Sequence, residues 1–302
     1  MRSIFVIVSA IALSFNTSAQ QPSGRRGVSP EERQKIESAV SAIPAKAPAK
    51  PRRPRKLLVI DAINGRMGHP AVLYTNLAVE LMGKKTGAYE TVISHDTSLL
   101  TPSDLRGFDA IFINNTAQGD LFNTPELRDA FAAYMRNGGG LVANHSVTVT
   151  SPKWDEFCEI LGARGAAHRS LEEKIMVKLD DPKHPLNKVF GGKGFEFAED
   201  ILRFDEAPSP RSKVHVLFSI DVAKTDMNQG RCLGNCVSED GEYPLSWVRA
   251  YGKGRVFYCG LGHKPSVFWD ARILQHYLAG IQFALGDLKG SVKPTVKLSA
   301  KK

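Results

Sequence analysis

What the 302-residue chain lacks narrows its chemistry first. Past its N-terminus, no stretch approaches the roughly 18 uninterrupted apolar residues that a membrane-spanning helix needs. It contains no internal repeat, and no His-Glu-x-x-His or comparable spacing announces a metal site. Only four cysteines occur. Cys158 and Cys259 lie in apolar surroundings that suit packing better than nucleophilic work. Cys232 and Cys236, in the loop-like "CLGNC", have no two further ligands near enough for a zinc site. In an exported chain they are expected to form a local disulfide, with free thiols the alternative.

Export is expected from the first 19 residues. "MRSIFVIVSAIALSFNTSAQ" has one base, Arg2, an apolar run over 4–13 and a small-residue ending at Thr17-Ser18-Ala19. That is the pattern of a signal peptide cleaved near Gln20, and it implies a periplasmic or secreted protein. Residues 20–56, which include "SAIPAKAPAKPRRPRK", are biased to Pro, Ala, Lys and Arg. They read as a semi-rigid tether with a short helix over 30–42, and residues 288–302 as a basic tail. With Arg2 these flanks carry +13, against a formal net charge of +9 for the whole chain, so residues 57–287 stand at −4. The folded part is mildly acidic, which argues against a nucleic-acid partner.

Residues 57–287 are long enough for one substantial α/β domain. "KLLVID" (56–61) is a continuous apolar run suited to a parallel strand covered on both faces. The Gly-rich "AINGRMGHP" leads into a helix over about 70–84, with Leu73, Leu77 and Leu81 on one face. "ETVISH" and "DAIFINN" are the next strands. In "TPELRDAFAAYMRNGGG", Thr124 is the N-cap, Pro125 the first helical residue and Gly138 the stop. The strand "GLVANH" follows, then a helix near "KWDEFCEILGA". This β-α-β-α succession predicts a doubly wound, flavodoxin-like, mostly parallel sheet. The second half is richer in strands: "EEKIMVKLDD", "KVHVLFSID", "PLSWVRAYG" and "GRVFYCGLGH", closed by the helix "ARILQHYLAGIQFALG".

In such sheets, ligands bind beyond the carboxyl ends of the strands. Asn115, Asn144, His145 and His263 all leave strands there. In many α/β enzymes the exit taken by His145 displays a nucleophilic Cys or Ser; this chain displays a histidine, followed by Ser146. His168, at a loop start in "LGARGAAH", and His69, before Pro70 at a helix start, are further candidates. Glu199 is the best acidic one. Trp154 and Trp269 follow the His145 and His263 loops and could stack on sugar faces, and Asn115, Asn144 and Arg66 could donate to hydroxyls. His95, His215, His276 and Trp247 fit structural roles, and His184 stands in a turn.

"FDAIFINNT", "GGGLVANH", "LGARGAAH", "HPL" after "DDPK", and "PLSWVRAYGKGRVFYCGLGH", in this order, resemble the ThuA-like (trehalose utilisation) family. The fold of that family is related to the class I glutamine amidotransferases. The resemblance covers residues 57–287 and implies carbohydrate catabolism, on glycosides or 3-keto-sugars. Two positions depart from the expected pattern. Ser146 stands where a small residue such as alanine is expected, and "AEDILRF" stands for an Asp-Glu motif, so Glu199 or Asp200 fills that role. Amidotransferase activity needs a cysteine at the elbow, and His145 occupies it.

Two mechanisms are open at this point. In one, His145, His168, His263 and Glu199 hold a divalent metal that polarises a carbonyl or activates water. In the other, one histidine and Glu199 act as general base and acid without a metal. The expected partner is a small-molecule sugar, and a homo-oligomer is left open. The rival readings are a non-catalytic carbohydrate-binding or scaffold protein on the same fold, and an envelope protein held by its basic flanks.

Overall fold

The computed structural model describes residues 27–61, 69–117, 119–170, 172–204, 210–238 and 240–295. Residues 1–26, where the signal peptide is expected, Arg66 and most of the Gly-rich loop lie outside them. The helices are α1 (Pro30–Ala42), α2 (Val72–Thr86), α3 (Pro102–Leu105), α4 (Pro125–Arg136), α5 (Asp155–Leu161) and α6 (Ala271–Ala284). The strands of the first half are β1 (Lys56–Ile60), β2 (Glu90–Ser94), β3 (Ala110–Asn114) and β4 (Gly140–Asn144). There follow β5 (Gly165–Arg169), β6 (Glu173–Leu179), β7 (Phe195–Glu199) and β8 (Arg203–Phe204). The last four are β9 (His215–Ile220), β10 (Cys232–Leu233), β11 (Pro244–Tyr251) and β12 (Gly254–Cys259).

Nine strands form one sheet in the order β2-β1-β3-β4-β12-β11-β9-β6-β7. The first five are parallel, in the flavodoxin-like order, and the remaining pairings are antiparallel. The continuous apolar runs that predicted buried strands divide by parity. Leu57 and Val59 join the core under α1, α2 and α6, while Leu58 and Ile60 join the core under α4 and α5. The amphipathic α4 starts where its sequence says. Thr124 Oγ1 accepts from the Leu127 N–H at 3.3 Å with Pro125 next in line, a cap that contributes about 1 kcal/mol.

Three expectations need correction. The segment before β1 is no tether from residue 27 onward. α1 buries Ile36, Ala39 and Val40, and the chain beyond it exchanges hydrogen bonds between the Ala49 backbone and the Gln282 amide. The Pro-rich composition limited its own core but not its docking onto an existing one. Residues 288–295 are also held, with Thr295 N–H bonded to the Val214 carbonyl at 3.0 Å and Leu288 and Val292 against the core. Finally, "GAAHR" is a strand and not a loop start. β5 lies between β10 and β8 in a separate three-stranded sheet, and small residues hid its pattern. No helix among the described residues is long and apolar enough to cross a membrane.

Candidate functional site

The parallel strands end at one edge, and their exits are polar: Asp61 after β1, Asn114 and Asn115 at β3, Asn144 and His145 at β4. Amides aligned in one direction tie these exits together. Asn144 Nδ2 donates to Asn114 Oδ1 (3.2 Å), Asn114 Nδ2 to Asn76 Oδ1 (2.9 Å), and Asn76 Nδ2 to Asp61 Oδ2 (2.6 Å). Asp61 is fully buried and also meets His95 Nδ1 at 2.8 Å. Burial raises the Asp61 pKa, and His95 and Asn76 oppose the rise. At the other end, the Asn115 N–H reaches Asn144 Oδ1, and Asn115 Nδ2 reaches the Gly262 carbonyl, both at 2.8 Å. Asn115 and Asn144, candidate sugar contacts by sequence, are thus buried and committed to this ladder.

The ladder holds strained backbone. Asn115 and His145 have φ of 52° and 40°, in the left-handed region that residues other than glycine seldom occupy. A strand that ends on such a turn displays its side chain at the sheet edge, as a nucleophile elbow does. Here the side chain is an imidazole. A Cβ on Gly262 would come within 3.1 Å of Asn144 Nδ2 and 3.4 Å of His145 Cβ, so glycine lets the exit of β12 lie against that of β4.

Three imidazoles converge at this edge. The rings of His69, His145 and His263 stand edge-on to one another with centroids 4.8 to 5.1 Å apart, and one nitrogen from each lies within 4.8 Å of the others. His145 Nδ1 faces the Gly260 carbonyl and Nε2 faces His263 Nδ1, each at 3.2 Å. A carbonyl only accepts, so Nδ1 of His145 carries the proton and Nε2 keeps a lone pair. Burial, with His69 and His263 alongside, pushes the His145 pKa well below the ordinary histidine value, and the ring is neutral. His263 shifts downward too, through burial first, with Asp200 opposing. Converging imidazoles, one oriented by a backbone carbonyl, make a donor set suited to zinc or a similar divalent ion with an open coordination position.

The acidic side of the site differs from expectation. Asp200, not Glu199, faces the rings. Its carboxylate oxygens lie 3.5 Å from His263 Nδ1 and 3.4 Å from His168 Nδ1, just beyond a closed hydrogen bond. Glu199 is fully buried and accepts from the Asp200 N–H at 2.9 Å. Burial pushes its pKa up to about 8, against the pull of backbone N–H groups at Asp200, Lys264 and His263. It therefore props the loop behind His263. The ligand set suggested by sequence is likewise revised: His69 joins His145 and His263, while His168 pairs with Asp200 and Glu199 sits below.

His168 is held by a staple. Its strand β5 pairs with β10, placing Leu233 opposite His168, and the disulfide Cys232–Cys236 expected for "CLGNC" is formed. The other candidates are dispersed. Trp154 packs among Phe122, Phe131 and Phe157 in the core and offers no sugar platform. Trp269 borders a surface cleft with Glu172, Phe197 and Ser266, and the Lys35 ammonium lies 4.3 Å over its ring. Trp247 is core, His276 is buried against Ser246, and His184 and His215 bond the carbonyls of Ser291 and Lys293. Cys158 and Cys259 are both buried, and burial pushes the Cys259 thiol up to about 12.

A doubly wound sheet with a strained elbow at its carboxyl edge defines the α/β class related to class I glutamine amidotransferases. The chain belongs to the ThuA (trehalose utilisation) family, whose model matches residues 56–284. Among solved structures, it is similar to a ThuA-like protein from Bacteroides uniformis at 23% identity, over 82% of this chain and 98% of that one, with a TM-score of 0.62. A ThuA-like protein from Parabacteroides merdae shares 18% identity over 80% of this chain and 93% of its own, with a TM-score of 0.54. No curated protein matches the chain in sequence.

Proposed function

We propose that this chain is an exported enzyme that processes glycosides oxidised to 3-keto-sugars, with its reactive centre at His69, His145 and His263. The observation that carries the reading is the convergence of three imidazoles, with His168 and Asp200 adjoining, at the strand-end edge where α/β sheets bind ligands. Export rests on the leader at residues 1–19. The sugar rests on membership of a carbohydrate-related family.

His69, His145 and His263 would hold a divalent cation, whose chemistry when bound is to polarise a substrate carbonyl oxygen. His145 contributes a lone pair because its other nitrogen is tied to Gly260. In a keto-sugar, the hydrogen on the carbon beside the carbonyl is already acidic. His168, backed by Asp200, takes that proton, and the electron pair moves toward the carbonyl oxygen to form an enolate. Loss of the glycosidic oxygen from the next carbon then breaks the glycosidic bond, and the proton held by His168 neutralises the departing alkoxide. Amide hydrolysis is disfavoured because the elbow lacks a thiol and both free cysteines are buried. Incubating the mature protein with 3-keto-glycosides and with the parent disaccharides tests the reading. Cleavage of the keto compounds alone is expected, and binding without turnover of either would favour a carbohydrate-binding protein.

A further inference from the structure

Ser146, the residue after the elbow histidine, has no part in the chemistry above, yet it sits between two members of the site. Its hydroxyl lies 3.2 Å from His69 Nδ1 and 3.4 Å from Asn115 Oδ1, and it is 2% exposed. The direction of every bond in this chain follows from its fixed end. The Gly262 carbonyl can only accept, so the group facing it at 2.8 Å is the Asn115 Nδ2, and Asn115 turns its oxygen toward Ser146. An amide oxygen can only accept, so both contacts of Ser146 close as hydrogen bonds only when its hydroxyl donates its one proton to Asn115. The serine oxygen is then left to accept from His69, which places the His69 proton on Nδ1 and the lone pair on Nε2. His145 reaches the same state by a different route, through the Gly260 carbonyl.

We propose that Ser146 is a positioning residue that locks the His69 tautomer, so that His69 presents Nε2 as a ligand beside His145 and His263. His69 precedes α2 in a turn and belongs to no strand, so side-chain bonds must supply the orientation that the elbow backbone gives His145. The proposal rests on the reading of the three rings as a ligand set. Alanine at this position would keep the fold of the elbow but remove both the acceptor for His69 and the donor for Asn115.

The test uses the full mature chain and zinc ion alone as probe. In a chelator competition, Ser146→Ala is expected to bind zinc roughly 10- to 100-fold more weakly than the wild type, the usual cost of losing a group that orients a ligand. Ser146→Thr, which keeps the hydroxyl, should stay within a few-fold. Nitrogen-15 NMR of the histidine rings without metal reads the tautomer directly: Nδ1–H for His69 in the wild type, and mixed forms in Ser146→Ala. Unchanged zinc affinity in the alanine variant would overturn the proposal, as would an Nε2–H tautomer in the wild type. A wild type that binds no zinc but shows the Nδ1–H tautomer, lost in the alanine variant, overturns the metal reading and leaves the serine lock standing.

Discussion

Glu199 and Asp200 are adjacent in sequence yet do opposite things. Side chains alternate along a strand, and Glu199 follows Phe195 and Phe197 in parity along β7, into cover, while Asp200 turns toward His168 and His263. The strand is not legible in "AEDILRF", so sequence alone does not tell which of the two carboxylates faces the histidines. By contrast, His145 and His263 were legible because each ends an apolar run whose exit must lie on the ligand side. The burial of Glu199 has a measurable consequence. Its folded pKa of about 8 stands above an ordinary value of 4.5, so the folded form holds the proton longer. Stability is therefore full below pH 4.5 and declines as pH rises toward 8, a cost on the order of a few kcal/mol. Glu199→Gln cannot lose that proton. Its Tm should match the wild type near the acid end and exceed it at pH 8, and a wild-type advantage growing toward pH 8 would refute the assignment.

At the scale of elements, the parallel strands and α2, α4 and α6 could be read from sequence because burial on two faces and helical periodicity leave strong patterns. β5, β8 and β10 could not be read. They are short, partly made of small residues, and stabilised by one another and by the disulfide rather than by a hydrophobic face. That small sheet nevertheless positions His168, since β10 pairs directly with it and Cys236 Sγ lies 3.4 Å from the His168 carbonyl. Replacing both cysteines with serine should lower stability by about 2 kcal/mol, the loop-closure value for so short a span. It should lower kcat more than it raises KM, because His168 would lose its register while the three-histidine cluster stays intact. Wild-type kinetics in the reduced or Cys232→Ser/Cys236→Ser protein would show that the staple does not serve the site.

For the molecule as a whole, composition misled about the flanks. Proline and basic residues before β1 gave the look of a tether, but position in space decided otherwise. Arg55 makes paired contacts with Asp287 at 2.6 and 2.9 Å and reaches Asp109 at 2.9 Å, closing the N-terminal arm onto the end of α6. The Asp287 side chain is fully buried, so removing its partner strands a charge. Such losses cost about 3–5 kcal/mol. A chain beginning at residue 56 should therefore melt roughly 10 °C or more below one beginning at residue 20, on about 2–4 °C per kcal/mol for this size. An unchanged Tm would restore the tether. α1 also packs on Pro265–Trp269, the turn after His263, so the arm braces the site as well as the core.

The central claim, that the histidine cluster at the strand ends is the reactive centre, meets its most direct test in one paired measurement. Bound metal and turnover of a 3-keto-glycoside are determined on the same samples of the wild type and His145→Ala, each beginning at residue 20, with folding checked by circular dichroism. The account predicts a stoichiometric divalent metal and keto-sugar cleavage in the wild type, and loss of both in the variant without loss of fold. A folded His145→Ala protein that retains full turnover would contradict it.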